Sequence, residues 1–122
     1  MDRVLVCDDD KEIVDAIEIY LRREDIDVVK AYNGKQALDL LEKEEVQLVL
    51  LDIMMPEMDG IEVLHEIKAR SLVSEETAII ALTANAISGV REMYLSEGFD
   101  DYLSKPIEPA ELESILRKYL VK

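Results

Sequence analysis

Four places in this 122-residue sequence carry side chains suited to phosphoryl chemistry: the acidic run Asp8, Asp9 and Asp10, a carboxylate at Asp52, a hydroxyl at Thr83 and an amine at Lys105. Asp8, Asp9 and Asp52, if brought together, cannot all stay ionised without compensating positive charge, and one lysine leaves them short of neutrality. A divalent cation would supply the rest. Oxygen-only donors call for a hard ion, which argues against zinc or copper and for magnesium, with manganese as the alternative. In that setting Asp52 can attack phosphorus as a nucleophile and form an acyl phosphate. The cation and Lys105 would neutralise the transferring oxygens, and Thr83 would offer them a hydroxyl. Each residue taken singly has a plainer reading, since an aspartate after a strand often caps a helix and a lysine before proline often faces solvent. Asp10 is read as such a cap. The converging set is the argument.

The elements that must position these groups follow from hydrophobic spacing. Apolar runs of strand length occur at Val4 to Cys7, Ile26 to Ala31, Val46 to Leu51, Ala78 to Leu82 and, more weakly, Tyr102 to Leu103. Between them lie helical stripes such as Ile13, Ala16, Ile17, Tyr20 and Leu21, or Leu112, Ile115, Leu116, Tyr119 and Leu120. Asn33-Gly34 opens the second helix, Asp59-Gly60 the third, Gly98 ends the fourth, and Pro109 suits the first turn of the fifth. Continuous apolar strands such as Leu48 to Leu51 are buried on both faces, as parallel strands must be. The expected class is therefore α/β, a flavodoxin-like parallel five-stranded sheet in the order 2-1-3-4-5 with helices on both faces. That order sets strands one and three side by side, so their carboxyl ends meet where strand order reverses, the usual ligand edge of open α/β sheets.

Composition narrows the function classes. The length suits one domain over residues 1–122, burying roughly two-thirds of its unfolded surface. Hydrophobic residues make up 49% and charged residues 34%, and no apolar run approaches the roughly 20 residues of a bilayer span. With no signal peptide or anchor, and with the single Cys7 inside an apolar run, a reducing cytoplasmic setting is expected. The net charge of -14, from 28 acidic and 14 basic side chains, repels nucleic acid.

The motifs LVCDDD at Leu5 to Asp10, LLDIMMPEMDG at Leu50 to Gly60, ALTA at Ala81 to Ala84 and DDYLSKP at Asp100 to Pro106 resemble the receiver domain of two-component response regulators, over essentially the whole chain. The resemblance implies that Asp52 is the phosphoacceptor. It makes Asp8 and Asp9 the acidic pair, with Asp9 the direct metal ligand, and has Met54 lend its backbone carbonyl to the ion. Lys105 would contact the phosphoryl group, Lys105-Pro106 would be a cis peptide, and Thr83 with Tyr102 would form the switch pair that remodels the face of helix four, strand five and helix five. That face is also where a homodimer would form. Implied partners are a sensor histidine kinase or histidine phosphotransfer protein and a downstream effector or output domain. Met54 and Asn85 flank the route of hydrolytic water and are expected to tune the lifetime of the acyl phosphate. The segment up to about Gly60 is similar to receivers of transcription-factor regulators, and the segment from Ala81 to Pro109 to those of hybrid histidine kinases, so a chimeric or designed origin is one expectation.

Other residues carry plainer expectations. Met54, Met55 and Met58 are read as packing residues, His65 as solvent-facing, and Tyr94, Tyr119 and Phe99 as core or interface body with, for the tyrosines, a polar tip. Glu42, Glu44 and Glu45 read as a solvated helix end. Three other functions stay in view. An aspartate-nucleophile phosphatase needs an acid where Met54 stands. A flavin carrier needs a phosphate loop where Asp8 to Asp10 would repel phosphate. An interaction module that is never phosphorylated would have no use for the complete acidic set. The expected protein is a switch that modifies itself, not a turnover enzyme.

Overall fold

The computed structural model describes residues 2–84 and 90–120. Five strands alternate with five helices: β1 Arg3–Cys7, α1 Lys11–Arg23, β2 Asp27–Ala31, α2 Gly34–Lys43, β3 Leu48–Asp52, α3 Gly60–Arg70, β4 Ala78–Thr83, α4 Val90–Glu97, β5 Asp101–Ser104 and α5 Pro109–Tyr119. All neighbouring strands are parallel and the order is β2-β1-β3-β4-β5, the flavodoxin-like order expected.

The period of two along each strand divides the core into two layers. Leu5, Cys7, Val49, Leu51, Ile79 and Ala81 face one way, onto Ala37 and Leu41 of α2, Val63, Leu64 and Ile67 of α3, and Tyr94 of α4. Val4, Val6, Leu48, Leu50, Ile80 and Leu82 face the other way, onto Val14, Ile17 and Leu21 of α1 and Leu112, Ile115 and Leu116 of α5. Every residue of β3 and β4 is buried, which explains why they read as unbroken apolar runs.

Local chemistry fixes the helix starts. Asp10 caps α1 by accepting from the Glu12 N–H at 3.0 Å, and Asn33 caps α2 through Gln36 at 2.8 Å. Asp59 and Glu62 form a reciprocal capping box on α3. Pro109 occupies the first turn of α5, and Gly98, at φ +119°, ends α4 in a conformation that side chains rarely adopt. Gly60 begins α3 hard against β3: a Cβ there would lie 2.9 Å from the Ile53 Cα and would strike the Asp52 carbonyl oxygen. The tight approach of α3 thus needs a residue without a side chain at Gly60.

The strand limits differ from the expected runs by one or two residues, because β2 starts after Ile26 and β3 after Gln47. Glu42 and Glu45 are exposed as expected, Glu42 meeting Arg70 at 3.7 Å on the surface, and Glu44 is half-buried beside Arg3 at 2.8 Å. His65 is exposed as expected, with Nε2 3.0 Å from Oε1 of Glu97.

Candidate functional site

Parallel pairing sets the site by register. Cys7 of β1 lies opposite Leu51 of β3, so Asp8 and Asp52 are the next residues on adjacent strands. Asp52 in turn lies opposite Leu82 of β4, one residue before Thr83. Thr83 lies opposite Ser104 of β5, which leads directly into Lys105. Four strand ends therefore deliver Asp8, Asp52, Thr83 and Lys105 to one edge of the sheet. The Lys105 N–H donates to the Thr83 carbonyl at 2.7 Å, tying the fourth of these to the third. The Lys105-Pro106 peptide is cis, as expected.

Asp8 is fully buried, and Asp52 and Thr83 nearly so, whereas Asp9 is exposed. The Lys105 ammonium lies 2.7 Å from Asp8 Oδ2 and donates to Asp52 Oδ1 at 3.0 Å. Asp52 Oδ1 also accepts from the Met54 N–H at 3.3 Å, and Asp8 Oδ1 from the Asp10 N–H at 2.9 Å. Asp52 Oδ2, buried, has no hydrogen-bond partner among the described residues. A buried carboxylate oxygen without a donor is costly.

The electrostatics follow. Burial, reinforced by the charge of Asp8 and opposed by Lys105, pushes Asp52 from 3.8 up to about 6. Burial pulls the Lys105 ammonium down, but Asp8 and Asp52 outweigh it and raise it above its ordinary value. Two buried carboxylates thus share one half-buried cation.

Asp8, Asp9 and Asp52 each offer an oxygen, and these atoms all lie within 4.8 Å of one another. Three hard donors on one small patch, beside a buried Asp52 oxygen that no described residue serves, fit a small divalent ion held partly by water.

The remaining expected residues fall as follows. Tyr102 is half-buried on β5 and packs against the layer that contains Tyr94 and Phe99. Met54, two residues beyond the end of β3, is 74% exposed, which corrects its reading as packing filler, while Met55 is buried and Met58 packs on the core. Asn85 lies outside the described residues.

One contact escaped sequence reasoning. The Tyr94 hydroxyl of α4 lies 3.0 Å from Thr83 Oγ1. Tyr94 was legible as buried body with a polar tip, but nothing in the chain states that the tip reaches across to β4.

A family model described as the response regulator receiver domain matches residues 4–117. It runs unbroken through both segments that suggested separate origins and lends no support to a chimera. An uncharacterised 14.6 kDa protein of Leptolyngbya boryana is 43% identical over 117 residues, covering 95% of this chain and 88% of that protein. The receiver domain of the Francisella response regulator 1452 superposes with a TM-score of 0.88 at 33% identity, covering 98% of this chain and 96% of the other. The receiver domain of the sensor histidine kinase PA1611 of Pseudomonas aeruginosa, solved with a magnesium ion in its active-site cleft, gives 0.84 at 35% identity, covering 99% and 98%. With the acidic edge, the lysine and the strand order already in place, the family match settles the assignment: this chain belongs to the response regulator receiver domain family.

Proposed function

We propose that Asp52 is the phosphoacceptor of a two-component switch, taking its phosphoryl group from a phosphohistidine on a sensor histidine kinase or a phosphotransfer protein. The observation that carries this reading is the asymmetry of the Asp52 carboxylate. Oδ1 is held by Lys105 and the Met54 N–H, while Oδ2 has no donor among the described residues. A carboxylate anchored by one oxygen keeps lone pairs on the other.

In the step itself an Asp52 oxygen bonds to phosphorus, the phosphorus–nitrogen bond breaks, and its electron pair leaves on the donor imidazole, which takes a proton from solvent. The Lys105 ammonium, already 3.0 Å from Asp52, follows the negative charge of the phosphoryl oxygens. Asp8, Asp9 and Asp52, with the Met54 carbonyl, would hold magnesium or manganese, which supplies further neutralisation of those oxygens. Thr83 meets the phosphoryl group from β4, and Tyr102 follows it inward, remodelling the α4-β5-α5 face that serves an effector, an output domain or a second copy of the chain. The product stays on the protein, so each event is a switch and not a turnover.

A phosphatase is disfavoured because Met54, where a general acid would stand, carries no proton to give. The exposed Met54 side chain and Asn85 instead set the access of water to the acyl phosphate. The donor protein would dock on the apolar groove between α1 and α5, lined by Ile19, Tyr20, Ile107, Pro109 and Leu112, which begins one residue beyond Pro106. Among the described residues no helix is long and apolar enough to cross a membrane. The buried free thiol of Cys7 suits a reducing cytoplasm.

Incubation with acetyl phosphate and magnesium, followed by intact-mass measurement, tests the reading. The parent should gain one phosphoryl group, and Asp52→Asn or chelation should abolish the gain. An unlabelled parent, or equal labelling of the variant, would overturn it.

A further inference from the structure

The contact between Tyr94 and Thr83 joins the reacting edge of the sheet to α4 through two buried hydroxyls. Tyr94 is 4% exposed and Thr83 2%, and their oxygens are 3.0 Å apart. Tyr94 is the buried residue of α4; the neighbouring Met93 is 46% exposed. Its ring is fixed edge-on against Phe99, with centroids 6.0 Å apart and planes at 78°, and the Phe99 N–H donates to the Tyr94 carbonyl at 3.1 Å. The tyrosine therefore pins α4 to the sheet by its ring and touches the site with its hydroxyl.

We propose that Tyr94 is a positioning residue that competes with a phosphoryl group on Asp52 for the hydroxyl of Thr83, and so couples the chemistry of Asp52 to the placement of α4. The proposal rests on the phosphoacceptor reading of Asp52. Thr83 has a single hydroxyl proton, and a hydroxyl that donates it to phosphate cannot also donate it to Tyr94. If Tyr94 is the donor in the pair, turning Thr83 toward the phosphoryl group still removes the lone pair that the Tyr94 proton was using. Either way the exchange leaves the Tyr94 hydroxyl buried beside no partner on Thr83, and a buried unsatisfied hydroxyl is unfavourable. The imbalance is relieved when the tyrosine, and with it α4, shifts toward a new partner. Tyr94 thus opposes the switched state through the same bond that makes α4 sensitive to it.

The test uses beryllofluoride with magnesium, which mimics a phosphoryl group on a carboxylate, against the whole chain. Tyr94→Phe keeps the ring and its stacking on Phe99 and removes only the competing hydroxyl. It should bind beryllofluoride roughly threefold to tenfold more tightly than the parent, the worth of one net hydrogen bond. In a Thr83→Ala background the same substitution should change affinity by less than twofold, because nothing is left to compete for. A purely structural role for Tyr94 would predict equal or weaker binding by Tyr94→Phe, and either result overturns the proposal. An undiminished Tyr94→Phe effect in the Thr83→Ala background overturns it as well. Should Tyr94→Phe fail to fold, the parent labelled with 13Cζ-tyrosine decides. The Tyr94 resonance, assigned through its contacts with Phe99, must shift when beryllofluoride binds, and a resonance that stays in place defeats the proposal. A folded parent that binds no beryllofluoride at all removes the phosphoacceptor reading itself, and Tyr94 falls with it.

Discussion

Replacing Asp52 with asparagine should stabilise the metal-free protein at neutral pH, even though it removes an ion-pair partner of Lys105. Burial, with help from Asp8 and against Lys105, lifts the Asp52 carboxyl from 3.8 to about 6. A carboxyl whose pKa is higher in the folded chain than in the unfolded one holds more proton when folded. Raising the pH through that window therefore costs stability, and the full cost is present above about 6. At 1.36 kcal/mol per pH unit, the displacement amounts to about 3 kcal/mol. Asparagine has nearly the same shape and never ionises. It forfeits the charge on the 3.0 Å contact with Lys105, but Lys105 keeps Asp8 at 2.7 Å. That loss trims the gain to about 1–3 kcal/mol, or roughly 4–12 °C in Tm for a chain of this size.

Thermal unfolding of parent and variant, followed by circular dichroism in EDTA, reads the effect directly. Comparing the two at each pH cancels the titration of groups that do not interact with Asp52, leaving the set it forms with Asp8 and Lys105. The gap should shrink by about 2 kcal/mol between pH 7.5 and pH 4.5, as Asp52 in the parent regains its proton. Magnesium should then favour the parent, by about 2.7 kcal/mol at a hundredfold excess over Kd, and should leave the variant far less changed. A variant no more stable than the parent near pH 7.5, or a gap that ignores pH, would refute the reasoning from burial and shared charge.

Gly60→Ala should lower stability by about 1–3 kcal/mol in urea unfolding, because its Cβ meets the backbone of Asp52 and Ile53 and not a side chain that can turn aside; an unchanged midpoint would mean that α3 sits less tightly than described. Ile19→Glu should slow transfer from a phosphorylated donor protein by about tenfold or more, the loss of one interface anchor, while labelling by acetyl phosphate stays as in the parent; equal loss with both donors would rule out a docking role. Cys7 is fully buried and its thiol is pushed up to about 12, first by burial and then by Asp52, Asp8 and Asp9. It should resist Ellman's reagent in the native chain and react completely in guanidinium, and fast native labelling would contradict that placement.

The elements and much of the site are written in local residue chemistry. Unbroken apolar runs at Leu48 to Leu51 and Ile79 to Leu82 could be satisfied only by burial on both faces, and Asn33, Asp59 and Pro109 announced helix starts through chemistry confined to one turn. The gathering of Asp8, Asp52, Thr83 and Lys105 was also legible, because parallel strands in this order bring their carboxyl ends to one edge wherever the intervening helices lie. Tertiary structure decided what depends on distance and exposure. Residues 54, 55 and 58 are all methionine, yet Met54 is exposed and Met55 buried, since a bend after β3 and not residue type sets their direction. The split between the two oxygens of Asp52 depends on where the Lys105 ammonium comes to rest. The bond from Tyr94 to Thr83 joins two residues eleven apart through the packing of α4 on the sheet, and no local pattern in the chain encodes such a reach.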